Sequence, residues 1–225
     1  MAEQTNKKPI GRPKGEQVEN AARRRKQLVE AAIDSIVELG MSATTLATVA
    51  KAAGLSQGVA VFYFKTKENL LVETLKQHYE EYDTFWRQAI DDAGSDPIDR
   101  LSALVFADIH SDLCTTRNLA LWNSYWGEAA ARPRFAAICD THDRTRYEVL
   151  TGLCEEASHL ITGKIWTPVS VADALDSMTD GMWIRLHITP GFMDRQQGRR
   201  ILASFMATVF PTEAARILRR AESYE

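Results

Sequence analysis

The chain has 225 residues, 45% of them apolar and 25% charged, which is enough to bury a sizeable core in one large domain or two small ones. No apolar run approaches the ~20 residues of a membrane span, and three widely spaced cysteines (Cys114, Cys139, Cys154) without a secretory signal point to reduced thiols in a cytoplasmic protein. The net charge of −3 hides an asymmetry: residues 1–67 carry 11 Lys+Arg against 6 Asp+Glu, the remainder 16 against 24, so one end suits an anionic partner.

With only 7 prolines and no period-2 runs of β-branched residues, the chain is predicted to be all-α, with about nine helices. Residues 1–22 are polar, lack helical periodicity and are expected to form a flexible basic arm. Within them Gly11-Arg12-Pro13-Lys14 resembles an AT-hook, whose arginine-proline strand lies in the narrow minor groove of A·T-rich DNA. Arg12 and Lys14 are therefore candidate DNA contacts. Arg23 to Leu39 reads as the first helix, with Leu28, Ala32, Ile33, Ile36 and Val37 on one face and Gly40 as its stop. The Arg23-Arg24-Arg25-Lys26 cluster at its start opposes the helix dipole, a placement that suits nearby phosphates.

Thr45 can cap a short helix holding Leu46, Val49 and Ala50, and Gly54 supplies the positive-φ residue that ends it. Ser56 caps a second short helix in which Gly58 and Ala60 leave the first turn thin. Two short helices joined by a Gly-Leu-Ser turn are the helix-turn-helix arrangement. The second ends in Phe62-Tyr63-Phe64, and Thr66 can cap a further helix with Lys67 in its first turn. The stretch from Thr44 to Leu71 resembles the DNA-binding domain of TetR-family transcriptional regulators, with their Ala-Gly-x-Ser-x-Gly turn, Tyr-Phe end and Lys-x-x-Leu-Leu start. The resemblance implies DNA contacts at Thr45, Ser56, Gln57, Gly58, Phe62, Tyr63 and Lys67. Gln57 is the residue suited to an adenine edge, while Thr45 and Lys67 suit phosphates. Val59, Ala60 and Val61 suit thymine methyls and shape readout.

From Thr66 the apolar pattern runs to Ile90, a helix of some 25 residues that begins in the DNA-binding domain and leaves it. In TetR-like proteins the corresponding helix shifts on ligand binding. Asp96 caps and Pro97 opens the next helix, expected to reach about Leu113. A helix from Arg117 to Ala130 carries Trp122, Tyr125 and Trp126 on one face, and Pro133 opens a long helix to Ile161. After a loose Gly163–Pro168 segment, Ser170 to Asp173 reads as a capping box for a helix reaching Ile188, and Asp194 caps a last long helix broken at Pro211. Two such amphipathic helices suit an isologous four-helix dimer interface, with Gly181 allowing close approach.

Trp122-x-x-Tyr125-Trp126-x-Glu128, Pro133-x-Phe135, Arg146-Tyr147 and Asp180-Gly181-Met182-Trp183-Ile184-Arg185 are similar to the BetI-type subgroup, whose type member represses choline-to-betaine genes and responds to choline. Its usual Ser-His before Tyr-Phe is here Val61-Phe62, which changes the recognition helix. A cationic effector needs aromatic faces and carboxylates; Trp86, Phe106, Trp122, Tyr125, Trp126 and Trp183 are the candidate ligand-binding residues, with Trp166 a further aromatic. Polyamines and aromatic molecules satisfy the same facts.

An enzyme is not indicated. Asp108-Ile109-His110-Ser111-Asp112 and His142-Asp143 lack metal-ligand spacing, and no glycine-rich phosphate loop or nucleophile elbow occurs. No cofactor or metal is implied. The organisation expected is an arm (1–22), a helix-turn-helix domain (23–68) and a helical ligand-binding and dimerisation domain (69–225). The function expected is a homodimeric repressor released from a palindromic operator in double-stranded DNA by a small molecule, choline or a related amine. A ligand-independent architectural DNA binder is the alternative class.

Overall fold

The computed structural model describes residues 14–163 and 165–224, with side chains described from Val18 onward. Among these residues there are ten α-helices, one short 3-10 turn and no β-strand. The helices are α1 (Lys14–Ala43), α2 (Leu46–Ala52), α3 (Gln57–Phe64), α4 (Lys67–Asp92), α5 (Pro97–Ala107), α6 (Thr116–Ala129), α7 (Pro133–Glu156), α8 (Pro168–Ile188), α9 (Arg195–Val209) and α10 (Ala214–Ser223). They form two compact units, one ending at Leu71 and the other starting at Val72, so α4 contributes to both.

In the first unit α1 buries Leu28, Val29, Ala32, Ile33 and Ile36 at helical spacing. Gly40, at φ 81°, breaks its direction where a side chain would be strained. Buried Thr44 then donates to the Gly40 carbonyl at 3.0 Å and shares a 3.2 Å hydrogen bond with Ser35, closing the corner before α2. Thr45 and Thr48 form a reciprocal cap on α2, each side chain accepting the other's backbone N–H. Gly54, at φ 65°, turns the chain into α3. The Gln27 amide donates to the Ala53 carbonyl at 2.6 Å and ties that turn to α1.

The second unit is built on α5, whose residues from Leu101 to Ala107 are all buried, with α7, α9 and α10 packed around it and α6 lying on α7 and α8. Gly198 of α9 is the point of close approach: a Cβ there would sit 3.4 Å from Met182 and 3.5 Å from Ile109. Gly181, whose expected close approach is to a second copy, has nothing within 4 Å inside the chain.

Four boundaries differ from expectation. Helix α1 begins at Lys14 rather than Arg23, because extending a helix already held by its buried half costs little for Glu, Gln and Ala. Residues 1–13, with Arg12, lie outside the described residues, as does the Lys14 side chain. Helix α5 stops at Ala107 instead of Leu113, since the Asp108 carbonyl accepts from Trp183 and Cys114 rather than continuing the ladder. Helix α7 ends at Glu156 and passes into the 3-10 turn Ser158–Leu160. Helix α8 starts at Pro168 with Thr167 as its cap. Ser170 is the residue that returns a hydrogen bond to it, not the cap itself.

Candidate functional site

Helix α3 divides its side chains by burial. Ala60 and Phe64 face the core, whereas Ser56, Gln57, Gly58, Val61 and Phe62 are exposed, Phe62 by 67%. Tyr63 is half-buried and meets the Phe62 ring edge-on at 5.2 Å. Ala60, expected on the thin outer face, is thus a packing residue. The Arg25 guanidinium lies 5.4 Å over Phe64, and Lys65 lies 5.2 Å from the Phe62 ring. Thr66 caps α4 by accepting from Asn69 N–H at 3.1 Å, and Lys67 Nζ donates to the Ser42 carbonyl at 2.9 Å. Exposed Thr45 lies at the start of α2. A 67% exposed phenylalanine on a short helix flanked by exposed polar groups is an unpartnered surface rather than a core face.

In the second unit a cavity of about 180 Å³ opens between helices. Residues at helical spacing line it: Tyr79 and Tyr82 from α4, Trp122 and Trp126 from α6, Asp143 and Arg146 from α7, Asp176, Thr179, Asp180 and Trp183 from α8, with Asp108 at the end of α5. The three indoles form a triangle, with centroids 5.9 Å (Trp122–Trp126), 5.8 Å (Trp126–Trp183) and 5.9 Å (Trp122–Trp183) apart. Tyr79 and Tyr82 present ring edges to Trp122 at 4.6 and 5.8 Å. Trp122 and Trp183 are buried, while Trp126, Asp143, Asp176 and Asp180 keep solvent contact and mark the mouth.

The cavity floor is a buried polar network. Arg146, 6% exposed, pairs with Asp108 through Nη2 and with Asp176 through Nη1 at 2.8 Å. Tyr82 donates to the other Asp108 oxygen at 2.7 Å, and Trp183 Nε1 donates to the Asp108 carbonyl at 2.6 Å. Tyr79 donates to Asp143 at 3.0 Å. Burial raises the Asp108 pKa against the opposing pull of Arg146 and Tyr82. Burial lowers the Arg146 pKa, but its carboxylate neighbours outweigh this and hold the guanidinium charged. Burial pushes Asp143 and Asp180 up to about 6, opposed at Asp143 by the Tyr79 hydrogen bond and reinforced at Asp180 by Asp176 and Asp108, though solvent contact screens part of the effect. Four carboxylates face one guanidinium, and that guanidinium is already engaged. The arrangement favours a positive charge between carboxylates and indole faces.

Of the six sequence-predicted ligand residues, Trp122, Trp126 and Trp183 line this cavity. Trp86, Phe106 and Tyr125 are fully buried elsewhere in the unit: Trp86 Nε1 donates to Asp83, and Tyr125 packs edge-on against Phe135. Trp166 meets Phe205. Sequence reasoning missed Tyr79, Tyr82 and the carboxylate set as cavity residues. The available signal was α8, where Asp176, Thr179, Asp180 and Trp183 recur at i, i+3, i+4 and i+7.

A helix-turn-helix unit followed by a helical unit with its own cavity is the layout of a ligand-responsive DNA-binding regulator. Residues 28–74 match the tetR family of bacterial regulatory proteins, and residues 97–211 match the BetI-type transcriptional repressor C-terminal family. An HTH-type transcriptional regulator BetI from Stenotrophomonas maltophilia is 30% identical over 183 residues, covering 81% of this chain and 91% of that protein. Among solved structures, a transcriptional regulator from Pseudomonas aeruginosa superposes with a TM-score of 0.73 at 21% identity, covering 92% of this chain and 96% of that one. A regulator from Saccharomonospora viridis, solved in complex with choline, superposes with a TM-score of 0.72 at 18% identity, covering 82% and 96%. The chain belongs to the TetR family of transcriptional regulators and carries a BetI-type C-terminal domain. It is a DNA-binding transcriptional regulator of the repressor type.

Proposed function

We propose that the chain is a homodimeric repressor released from its operator by a small organic cation of the choline class. The observation that carries this reading is the cavity in which three indoles and four carboxylates converge on space for a cation. Its size narrows the class. About 180 Å³ corresponds to the liquid volume of roughly six waters, and so to a ligand of a few heavy atoms rather than an extended polyamine or a steroid-sized molecule. Choline bound to the structurally similar Saccharomonospora viridis regulator supports the same class.

The DNA face comprises Thr45, Ser56, Gln57, Gly58, Phe62, Tyr63 and Lys67, with Arg12 and Lys14 as an additional arm. Gln57 reads a base edge, and Phe62 with Val61 packs on thymine methyls. The dimer forms through the outer faces of α8 and α9 and the turn between them, where Ile184, Ile188 and Ile201 of the helices and Phe192 of the turn are 44–83% exposed.

Titration of the purified chain with choline and tetramethylammonium, followed by tryptophan fluorescence, tests the effector. Saturable binding is expected, with roughly 30-fold loss in Trp126→Ala if a desolvated cation–π contact of about 2 kcal/mol is removed. Anisotropy of operator DNA is expected to fall as choline is added. No response to any quaternary ammonium would sink the effector assignment.

A further inference from the structure

A second cavity in the C-terminal unit, of about 580 Å³, is lined by Arg199 of α9. Arg199 is only 8% exposed, its buried Nε has no hydrogen-bond partner, and the guanidinium makes no ion pair among the described residues. A buried guanidinium without a counter-charge is strongly unfavourable, and proteins pair such groups. Arg146, the other buried arginine, has two carboxylates; Arg199 has none. Arg195, one turn earlier on α9, faces the same space. Asp194, which caps α9 by accepting Gln197 N–H at 2.7 Å, and exposed Glu222 line the same cavity, but neither pairs directly with Arg199 among the described residues. Leu119, Leu186 and Met193 add an apolar patch to a wall that also carries Thr116 and Gln196.

We propose that this cavity binds a small carboxylate, its acid group on Arg199 and a short apolar stem against Leu119, Leu186 and Met193. The volume falls in the range of small-molecule sites, several times that of the aromatic cavity. The two sites meet at one residue: Cys114 in this wall donates its thiol to the Asp108 carbonyl at 3.0 Å, and Trp183 of the aromatic cavity donates to that same oxygen at 2.6 Å. The protein therefore has places for two ligands of opposite charge, independent of which cation occupies the first.

The test is the thermal midpoint of the full chain in butyrate, hexanoate, phosphate and chloride at constant ionic strength, with butyramide as an uncharged analogue of butyrate. A saturable rise of roughly 3–6 °C at ten times Kd is expected with butyrate or hexanoate and not with chloride or butyramide. Arg199→Gln is expected to abolish the rise while leaving the anion-free midpoint at or above that of the parent, because an unpaired buried charge has gone. Arg199→Lys is expected to retain part of the response. Equal midpoints in all solutes, a butyramide response matching butyrate, a response to phosphate alone, or a butyrate response undiminished in Arg199→Gln would each overturn the proposal. The wild-type butyrate–butyramide comparison decides the matter even where a variant folds poorly.

Discussion

The two units handle their polar groups in opposite ways. The helix-turn-helix unit turns Ser56, Gln57 and Thr45 outward and satisfies its corner internally through Thr44, Thr48 and Gln27, so its working surface is open and its scaffold is local. The C-terminal unit gathers Asp108, Arg146, Tyr82 and Asp176 from helices far apart in sequence and encloses them. In the first, most of the proposed DNA contacts lie apart from the scaffold, although Thr45 also caps α2 and Lys67 also holds the Ser42 carbonyl. In the second, the proposed ligand contacts are themselves the scaffold, and removing a cavity residue is expected to cost folding as well as binding.

Asp108→Ala breaks that comparison most severely. It strips Arg146 of its most buried partner and leaves the Tyr82 hydroxyl unpaired, which is expected to cost about 3–5 kcal/mol. All five tryptophans lie beyond Leu71, so tryptophan fluorescence during urea unfolding reports on the C-terminal unit alone. A shift of its midpoint to lower urea is expected. Combining Asp108→Leu with Arg146→Met, which removes both charges together, is expected to restore most of the loss. A midpoint unmoved by Asp108→Ala would mean that the network contributes nothing to stability.

Gln57→Ala tests the other side. Gln57 is exposed and caps nothing, so its loss is expected to leave the unfolding midpoint within ~0.5 kcal/mol of the parent. Discrimination at one operator position is expected to fall by about 1–3 kcal/mol. Lys67→Ala is expected to weaken binding to all sequences alike and to reduce the salt slope by about one, and it also frees the Ser42 carbonyl that Lys67 holds at 2.9 Å. Unchanged affinity for Lys67→Ala at moderate salt would contradict the docking.

The contrast also explains what could be read from the residues alone. The DNA-binding unit is legible because each of its decisions is local: a Thr cap, a glycine at positive φ, a Ser before a short helix. The cavity is half legible. Trp122, Trp126 and Trp183 stand out by type, but aromatic type does not separate wall from core, and Trp86, Phe106 and Tyr125 went to the core. Asp108 and Asp143 invite pairing with their neighbours His110 and His142. The fold instead sends His142 to Asp83 at 2.7 Å and leaves both aspartates to tyrosines of α4. Tertiary distance decides that choice, and nothing adjacent in sequence encodes it. The Ser170 and Leu113 boundaries were misread for a related reason, since the better cap was the Thr167-Pro168 pair and the helix end was set by a tertiary hydrogen bond from Trp183.

Acidification sharpens the comparison because burial pushes two cavity carboxylates up toward neutrality. Asp143 and Asp180, held at about 6, are charged above that pH and protonated below it. A cation needs them charged, so effector affinity is expected to rise with pH through 6 and to fall by at most roughly tenfold per group at one unit below. Stability is a poorer readout. The two raised carboxylates favour the folded state below their ordinary pKa of 3.8 and lose that contribution as pH rises to about 6. Buried His78, lowered to about 4, acts in the opposite sense over an overlapping range. Isothermal titration at pH 5 and 7.5 separates them: Asp143→Asn is expected to flatten the affinity profile, and a profile unchanged by either Asp143→Asn or Asp180→Asn would remove these groups from the site.

The smallest effect lies at Lys65, between the recognition helix and α4. Its φ of 65° and ψ of −48°, with Thr66 N–H donating to the Phe64 carbonyl at 2.7 Å, make a γ-turn that side chains other than glycine rarely adopt. Lys65→Gly relieves the strain but adds unfolded-state entropy and removes the contact of Lys65 Nζ with the Phe62 ring, so a net gain of only about 1 kcal/mol or less is expected. Lys65→Ala keeps the strain and is expected to gain nothing. Operator affinity gives the informative comparison. If Lys65→Gly raises the unfolding midpoint while weakening DNA binding, the strained turn orders Phe62 and Lys67 for docking, and stability and function are coupled at this point of the N-terminal unit as they are in the cavity. If affinity is unchanged, the strain at Lys65 plays no part in docking.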